Sequence, residues 1–124
     1  MTRILVIDDD KNVCALLEKV FADLNYEVQM AHNGNDGLAM AKAEPPDMAI
    51  VDINMPGMNG YDVCTGLRAD PKTHDVPILM LTGMTHLPAA MKSMATGAND
   101  YITKPFDLDE VVGRVQALLT RRGK

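Results

Sequence analysis

Short apolar runs alternate with amphipathic segments five times along the chain. The apolar runs are Arg3–Asp8 (RILVID), Tyr26–Met30 (YEVQM), Met48–Asp52 (MAIVD), Ile78–Thr82 (ILMLT) and Asp100–Thr103 (DYIT). Runs of this length, rich in Ile, Val and Leu, predict strands buried on both faces, while the stronger alternation of YEVQM predicts a strand near a sheet edge. Between them the apolar spacing becomes helical. Val13, Leu16, Leu17, Val20 and Leu24 define one expected apolar helix face, and Leu108, Val111, Val112, Val115, Leu118 and Leu119 define another at the C-terminus.

The remaining helices are bounded by turn residues. A helix over Asn35–Ala43 follows Gly34 and stops before Glu44-Pro45-Pro46, and one over Tyr61–Ala69 ends before Asp70-Pro71. A third, over Pro88–Ala95, has proline in its first turn and Gly97 placed to end it. Asp107 is expected to cap the last helix, with Glu110 completing a capping box. Strand–helix alternation of this kind predicts an α/β domain, a parallel sheet with helices on both faces.

Composition narrows the function classes. The chain has 124 residues, enough for one domain, with 47% hydrophobic and 23% charged residues. A formal net charge of -5 argues against a nucleic-acid surface, which needs clustered Lys and Arg. The basic cluster Arg121, Arg122 and Lys124 is expected to be a frayed, solvated helix end. Cys14 and Cys64 fit no metal or redox spacing and are expected to be reduced helix residues. The N-terminus has no signal-peptide pattern, and no apolar run approaches the ~20 residues of a membrane span, so a cytoplasmic location with no membrane contact is expected. The ten methionines include Met91 and Met94, expected as core fillers, and His32, His74 and His86 are expected to be solvated.

The candidate chemistry lies at the strand ends. In a doubly wound sheet the functional crevice lies beyond the carboxyl ends of the strands. The first strand runs into Asp8-Asp9-Asp10, the third ends in Asp52, the fourth in Thr82-Gly83, and the fifth leads into Thr103-Lys104-Pro105. Several carboxylates, a hydroxyl and an ammonium therefore converge on one sheet edge. Hard oxygen ligands at this density suit Mg²⁺, and the set as a whole suits phosphoryl transfer to a carboxylate. Taken singly, Asp10 reads equally well as the N-cap of the first helix, Thr82 as a strand-end residue and Lys104 as a surface lysine.

Four segments, ILVIDDD, PPDMAIVDINMPGMNGYD, PILMLTG and GANDYITKPFD, occur in that order. Through them the chain resembles the receiver domains of two-component response regulators over essentially its whole length. The resemblance implies a flavodoxin-like, CheY-like fold, a doubly wound five-stranded parallel sheet of order 2-1-3-4-5 with five helices. It implies a receiver domain over residues 1–121 with 122–124 as a C-terminal tail. It implies Asp52 as phosphoacceptor, Asp8 and Asp9 as the acid pair on Mg²⁺ (one directly, one through water), and Asn54 as a metal ligand through its backbone carbonyl. Lys104 would pair with phosphoryl oxygens, from a bond to Pro105 that is often cis in such domains. Thr82 would hydrogen-bond the phosphoryl group, with Gly83 leaving it room, and Tyr101 would be the switch aromatic, although alone it reads as a half-buried strand residue.

The implied function is a signalling switch that assists its own phosphorylation and dephosphorylation, rather than an enzyme. It would take a phosphoryl group from a sensor histidine kinase or a histidine phosphotransfer protein and pass the signal to an output partner the sequence does not name. The switching surface would be the fourth helix, fifth strand and fifth helix, with a phosphorylation-dependent dimer as one outcome and no direct nucleic-acid contact. Asn54 and Met84 are placed to influence water access to the phosphorylated site. Three alternatives stand beside this reading: the receiver portion of a larger DNA-binding or enzymatic regulator, a phosphate-independent interaction module, and a small aspartyl phosphatase. Against the last, Asn54 sits where such hydrolases place a second aspartate.

Overall fold

The computed structural model describes residues 1–83 and 87–122. Met84 and His86, and with them the expectations placed on them, lie outside the described residues, as do Gly123 and Lys124. The elements run β1 (Arg3–Ile7), α1 (Lys11–Asp23), β2 (Glu27–Ala31), α2 (Gly34–Ala43), β3 (Met48–Asp52), α3 (Gly60–Ala69), β4 (Ile78–Thr82), α4 (Leu87–Ala95), β5 (Asp100–Thr103) and α5 (Leu108–Arg121). All strands are parallel, in the order β2-β1-β3-β4-β5. This is the expected topology, with YEVQM shifted by one residue and β2 on an edge.

The strands bury side chains on both faces because helices cover both. Leu5, Ile7, Ala49, Val51, Ile78 and Met80 point into a cluster closed by α2 and α3. Ile4, Val6, Met48, Ile50, Leu79 and Leu81 point into a second cluster closed by α1 and α5. Cys64 of α3 belongs to the first and Cys14 of α1 to the second, so the sheet separates the two thiols. No helix among the described residues is long and apolar enough to cross a membrane.

Three packing expectations are corrected. On α1 the buried residues are Cys14, Leu17 and Phe21, while Leu16 is 44% exposed and Leu24 is 41% exposed. Phe21 sets this rotation, since its fully buried ring packs 5.9 Å from that of Tyr26. Leu24 falls outside the helix as its C-cap, before Asn25 turns the chain at φ 67. On α4, Met91 and Met94 are 62% and 49% exposed, so they face outward instead of filling the core. Arg122 is not frayed: its guanidinium donates to Asp47 O at 3.0 Å and lies 3.4 Å from Asp75 Oδ1.

Helix ends follow local side-chain chemistry. Asp10 caps α1 by accepting from Asn12 N at 2.9 Å and Val13 N at 3.3 Å. Asp107 caps α5 through Asp109 N at 2.9 Å, but Glu110 turns toward Arg114, at 3.9 Å, and does not close the expected box. The reciprocal box is on α3 instead, where Asp62 N donates to Asn59 Oδ1 at 3.0 Å and Asn59 N to Asp62 Oδ2 at 3.3 Å. Gly97, at φ 105, ends α4 as expected.

Candidate functional site

The parallel register brings the strand ends to one edge. Asp52 is the last residue of β3, opposite Leu81, and Thr82 is the last of β4, opposite Thr103. Asp8 follows β1 directly and Lys104 follows β5. Lys104 N donates to Thr82 O at 2.6 Å, which keeps the β5 exit aligned with β4, and the Lys104–Pro105 peptide is cis.

From that exit the Lys104 ammonium reaches across the crevice. Its Nζ lies 3.0 Å from Asp8 Oδ2 and 3.3 Å from Asp52 Oδ1. Asp8 and Asp52 are 0% and 3% exposed, whereas Asp9 is exposed. One carboxylate oxygen from each of Asp8, Asp9 and Asp52 lies within 4.8 Å of the others. Asp8 Oδ1 also accepts from Asp10 N at 2.9 Å, so Asp10 serves the site through its backbone as well as capping α1.

The electrostatics reflect two buried carboxylates sharing one cation. Burial, and then the Asp8 charge, push the Asp52 carboxyl up from 3.8 to about 6, against the attraction of Lys104 and a hydrogen bond from the Asn54 backbone. Burial works to lower the Lys104 ammonium, but its hydrogen bond to Asp8 and the charges of Asp52 and Asp8 outweigh that and hold it above the ordinary lysine value. The cluster thus has hard oxygen donors in excess of its positive charge. That donor set fits a small divalent cation such as Mg²⁺, and holds no thiolate or imidazole to favour a softer metal.

The other expected residues take less direct positions. Thr82 is buried, at 1% exposure, on the strand end beside Asp52's strand. Asn54 is exposed two residues beyond Asp52. Among the described residues, the nearest atom that a Cβ on Gly83 would meet is Asn54 Nδ2, at 4.0 Å. Tyr101 is 36% exposed on the edge strand and so lies outward. His32 is exposed, as expected, but its Nδ1 lies 3.3 Å from Asp8 O, a contact that nothing in the sequence spacing announced.

Residues 4–116 match the family model of the response regulator receiver domain. The chain belongs to that family. This receiver is 41% identical over 121 residues to the DNA-binding dual master transcriptional regulator RpaA of a Synechocystis species, covering 98% of this chain and 50% of that protein. It is 42% identical over 121 residues to the transcriptional regulatory protein PrrA of Mycobacterium tuberculosis, covering 98% of this chain and 51% of that one. The receiver therefore spans about half the length of the curated relatives it matches. Among solved structures it is similar to a putative response regulator from Chloroflexus aurantiacus, with a TM-score of 0.91 at 39% identity over 96% of this chain and 98% of that one. The chemotaxis protein CheY4 of Vibrio cholerae gives 0.90 at 30% identity, over 95% of this chain and 98% of that one. Receivers of this family belong to two-component signalling, and the five-stranded order seen here is theirs.

Proposed function

We propose that Asp52 is the phosphoacceptor of this receiver, and that the phosphorylated form switches the α4–β5–α5 face. The observation that carries the reading is the buried Asp52 carboxylate, 3.3 Å from Lys104 and within one ion's reach of Asp8 and Asp9. Asp8, Asp9, Asp52 and the Asn54 carbonyl would hold Mg²⁺. Bound there, the cation would neutralise the acid cluster and draw charge from the phosphoryl oxygens.

The chain's own groups account for the rest. An Asp52 oxygen attacks the phosphorus of a phosphohistidine on a sensor kinase or phosphotransfer protein, the O–P bond forms, and the N–P bond breaks with its electron pair returning to the imidazole. Lys104 follows the new negative charge from Asp52 to a phosphoryl oxygen. Thr82 offers its hydroxyl to another, and the space beside Gly83 receives the group. The threonine's movement vacates room for Tyr101 to turn inward from the edge strand. Coupling of this kind is typically worth ~1–3 kcal/mol.

The receiver domain would comprise residues 1–121, with 122–124 as a tail, acting in the cytoplasm as a signalling switch that assists its own phosphorylation and dephosphorylation. The net charge of -5 keeps nucleic acid off this domain itself. A second reading concerns what it controls. Because the relatives are twice as long, this receiver would serve as the input half of a DNA-binding regulator, pairing on phosphorylation with a second copy. The deciding experiment is incubation with acetyl phosphate and Mg²⁺ followed by intact mass. Wild type should gain one phosphoryl group and Asp52→Asn none; equal gain by both would overturn the assignment.

A further inference from the structure

Asp8 is held from every side, and two of the groups that hold it take no part in the phosphoryl chemistry. The sheet ladder stops at Ile7, opposite Ala31, and the Asp8 N–H still donates to Ala31 O at 3.0 Å. The Asp8 carbonyl lies beyond that last rung, and side chains satisfy it instead. Cys14 Sγ lies 3.3 Å from this oxygen and His32 Nδ1 lies 3.3 Å from it, with sulfur and nitrogen 3.7 Å apart. A carbonyl oxygen only accepts, and its two lone pairs can take both donors. Burial, reinforced by the Asp8 and Asp10 charges, pushes the Cys14 thiol up to about 11, so its proton stays in place.

We propose that His32, together with Cys14, is a positioning residue that locks the Asp8–Asp9 peptide plane and thereby sets the divalent-cation affinity of the acid cluster. The inference rests on reading that cluster as the cation site. The Asp8 carboxylate is already tethered, Oδ2 by Lys104 at 3.0 Å and Oδ1 by Asp10 N at 2.9 Å. Asp9 is different: it is exposed, and the peptide unit joining it to Asp8 decides where its carboxylate points. That unit begins at the carbonyl His32 and Cys14 grip. Releasing the grip lets the plane rotate and carries Asp9 away from its two partners. Groups that orient metal ligands typically set affinity by about 10- to 100-fold, and an effect relayed through backbone should fall at or below the lower end.

Two measurements test this. Long-range ¹H–¹⁵N NMR of the wild type at about pH 8.5, well above the ordinary imidazole range, reads the His32 tautomer. The proposal requires the Nδ1–H form, the reverse of free imidazole's preference in histidine; an Nε2–H tautomer overturns it. Mg²⁺ titration, followed by the amide shifts of Asp8 and Asp9, should show affinity reduced about 3- to 10-fold in His32→Ala. His32→Asn, whose amide nitrogen falls where Nδ1 does, should restore most of it. Wild-type binding with an unmoved His32→Ala overturns this proposal alone. Failure of the wild type to bind Mg²⁺ overturns the cation-site reading and the proposal with it.

Discussion

The Lys104 ammonium lies closer to Asp8, at 3.0 Å, than to Asp52, at 3.3 Å, so before phosphorylation the lysine bridges a pair of buried acids. Removing one partner of such a bridge strands the others. Lys104→Met, with metal chelated, should lower stability by about 1–3 kcal/mol in urea melts, because two buried carboxylates lose the ammonium that bridges them. Its uptake of phosphoryl from acetyl phosphate should remain detectable, while partner affinity no longer rises on phosphorylation. A phosphorylated variant that binds its partner as tightly as wild type would contradict the role given to Lys104.

Asp52 should make stability depend on pH in a defined direction. Its folded value of about 6 lies above the ordinary 3.8, so between those values the folded state holds more protons than the unfolded one. Ionised Asp52 therefore costs stability above about pH 6, and the cost is relieved as pH falls toward 4. Asp52→Asn should be more stable than wild type by about 1–3 kcal/mol at pH 7.5 in chelator, with the gap closing by pH 4. Added Mg²⁺ should raise the wild-type Tm and leave the variant unmoved. A gap that does not vary with pH would contradict this account.

Adjacent leucines on α1 should behave in opposite ways. Leu17 is 0% exposed and Leu16 is 44% exposed. Leu17→Ala should cost about 2–5 kcal/mol. Leu16→Ala should stay within about 0.5 kcal/mol. Equal losses in thermal or chemical denaturation would restore the helix face that the apolar spacing alone predicts.

Two glycines should also part company. A Cβ on Gly60 would sit 2.5 Å from Asp52 O and 2.7 Å from Ile53 Cα, both backbone atoms that cannot yield easily. Gly60→Ala should cost about 1–3 kcal/mol and slow phosphorylation by displacing the Asp52 main chain. Gly83→Ala meets no described atom nearer than Asn54 Nδ2, at 4.0 Å, and in that space should leave stability within about 0.5 kcal/mol. It should act, if the phosphoryl group fills that space, on the phosphorylation rate. Denaturation curves and single-turnover labelling with acetyl phosphate separate the two effects.

Read alone, the sequence determined the strands, the parallel α/β architecture and the acids at the strand ends, because runs such as MAIVD and ILMLT are local patterns that one register can satisfy. The four family segments then implied the strand order and placed Asp8, Asp9, Asp52 and Lys104 together. Tertiary structure decided what depends on docking. Leu17 belongs to the apolar face read from spacing and to the face actually buried, and only the fit of Phe21 into the core chooses between them. Met91 and Met94 have helical spacing that suits a core, yet nothing covers that side of α4 within the described residues. The Cys14 and His32 contacts on the Asp8 carbonyl arise because β1 ends one residue before Asp8, leaving a backbone acceptor to be satisfied by whichever side chains the fold brings near. Local chemistry is written in the order of residues; which groups meet across 24 or 96 positions, as His32 and Lys104 meet Asp8, is settled only when the sheet closes.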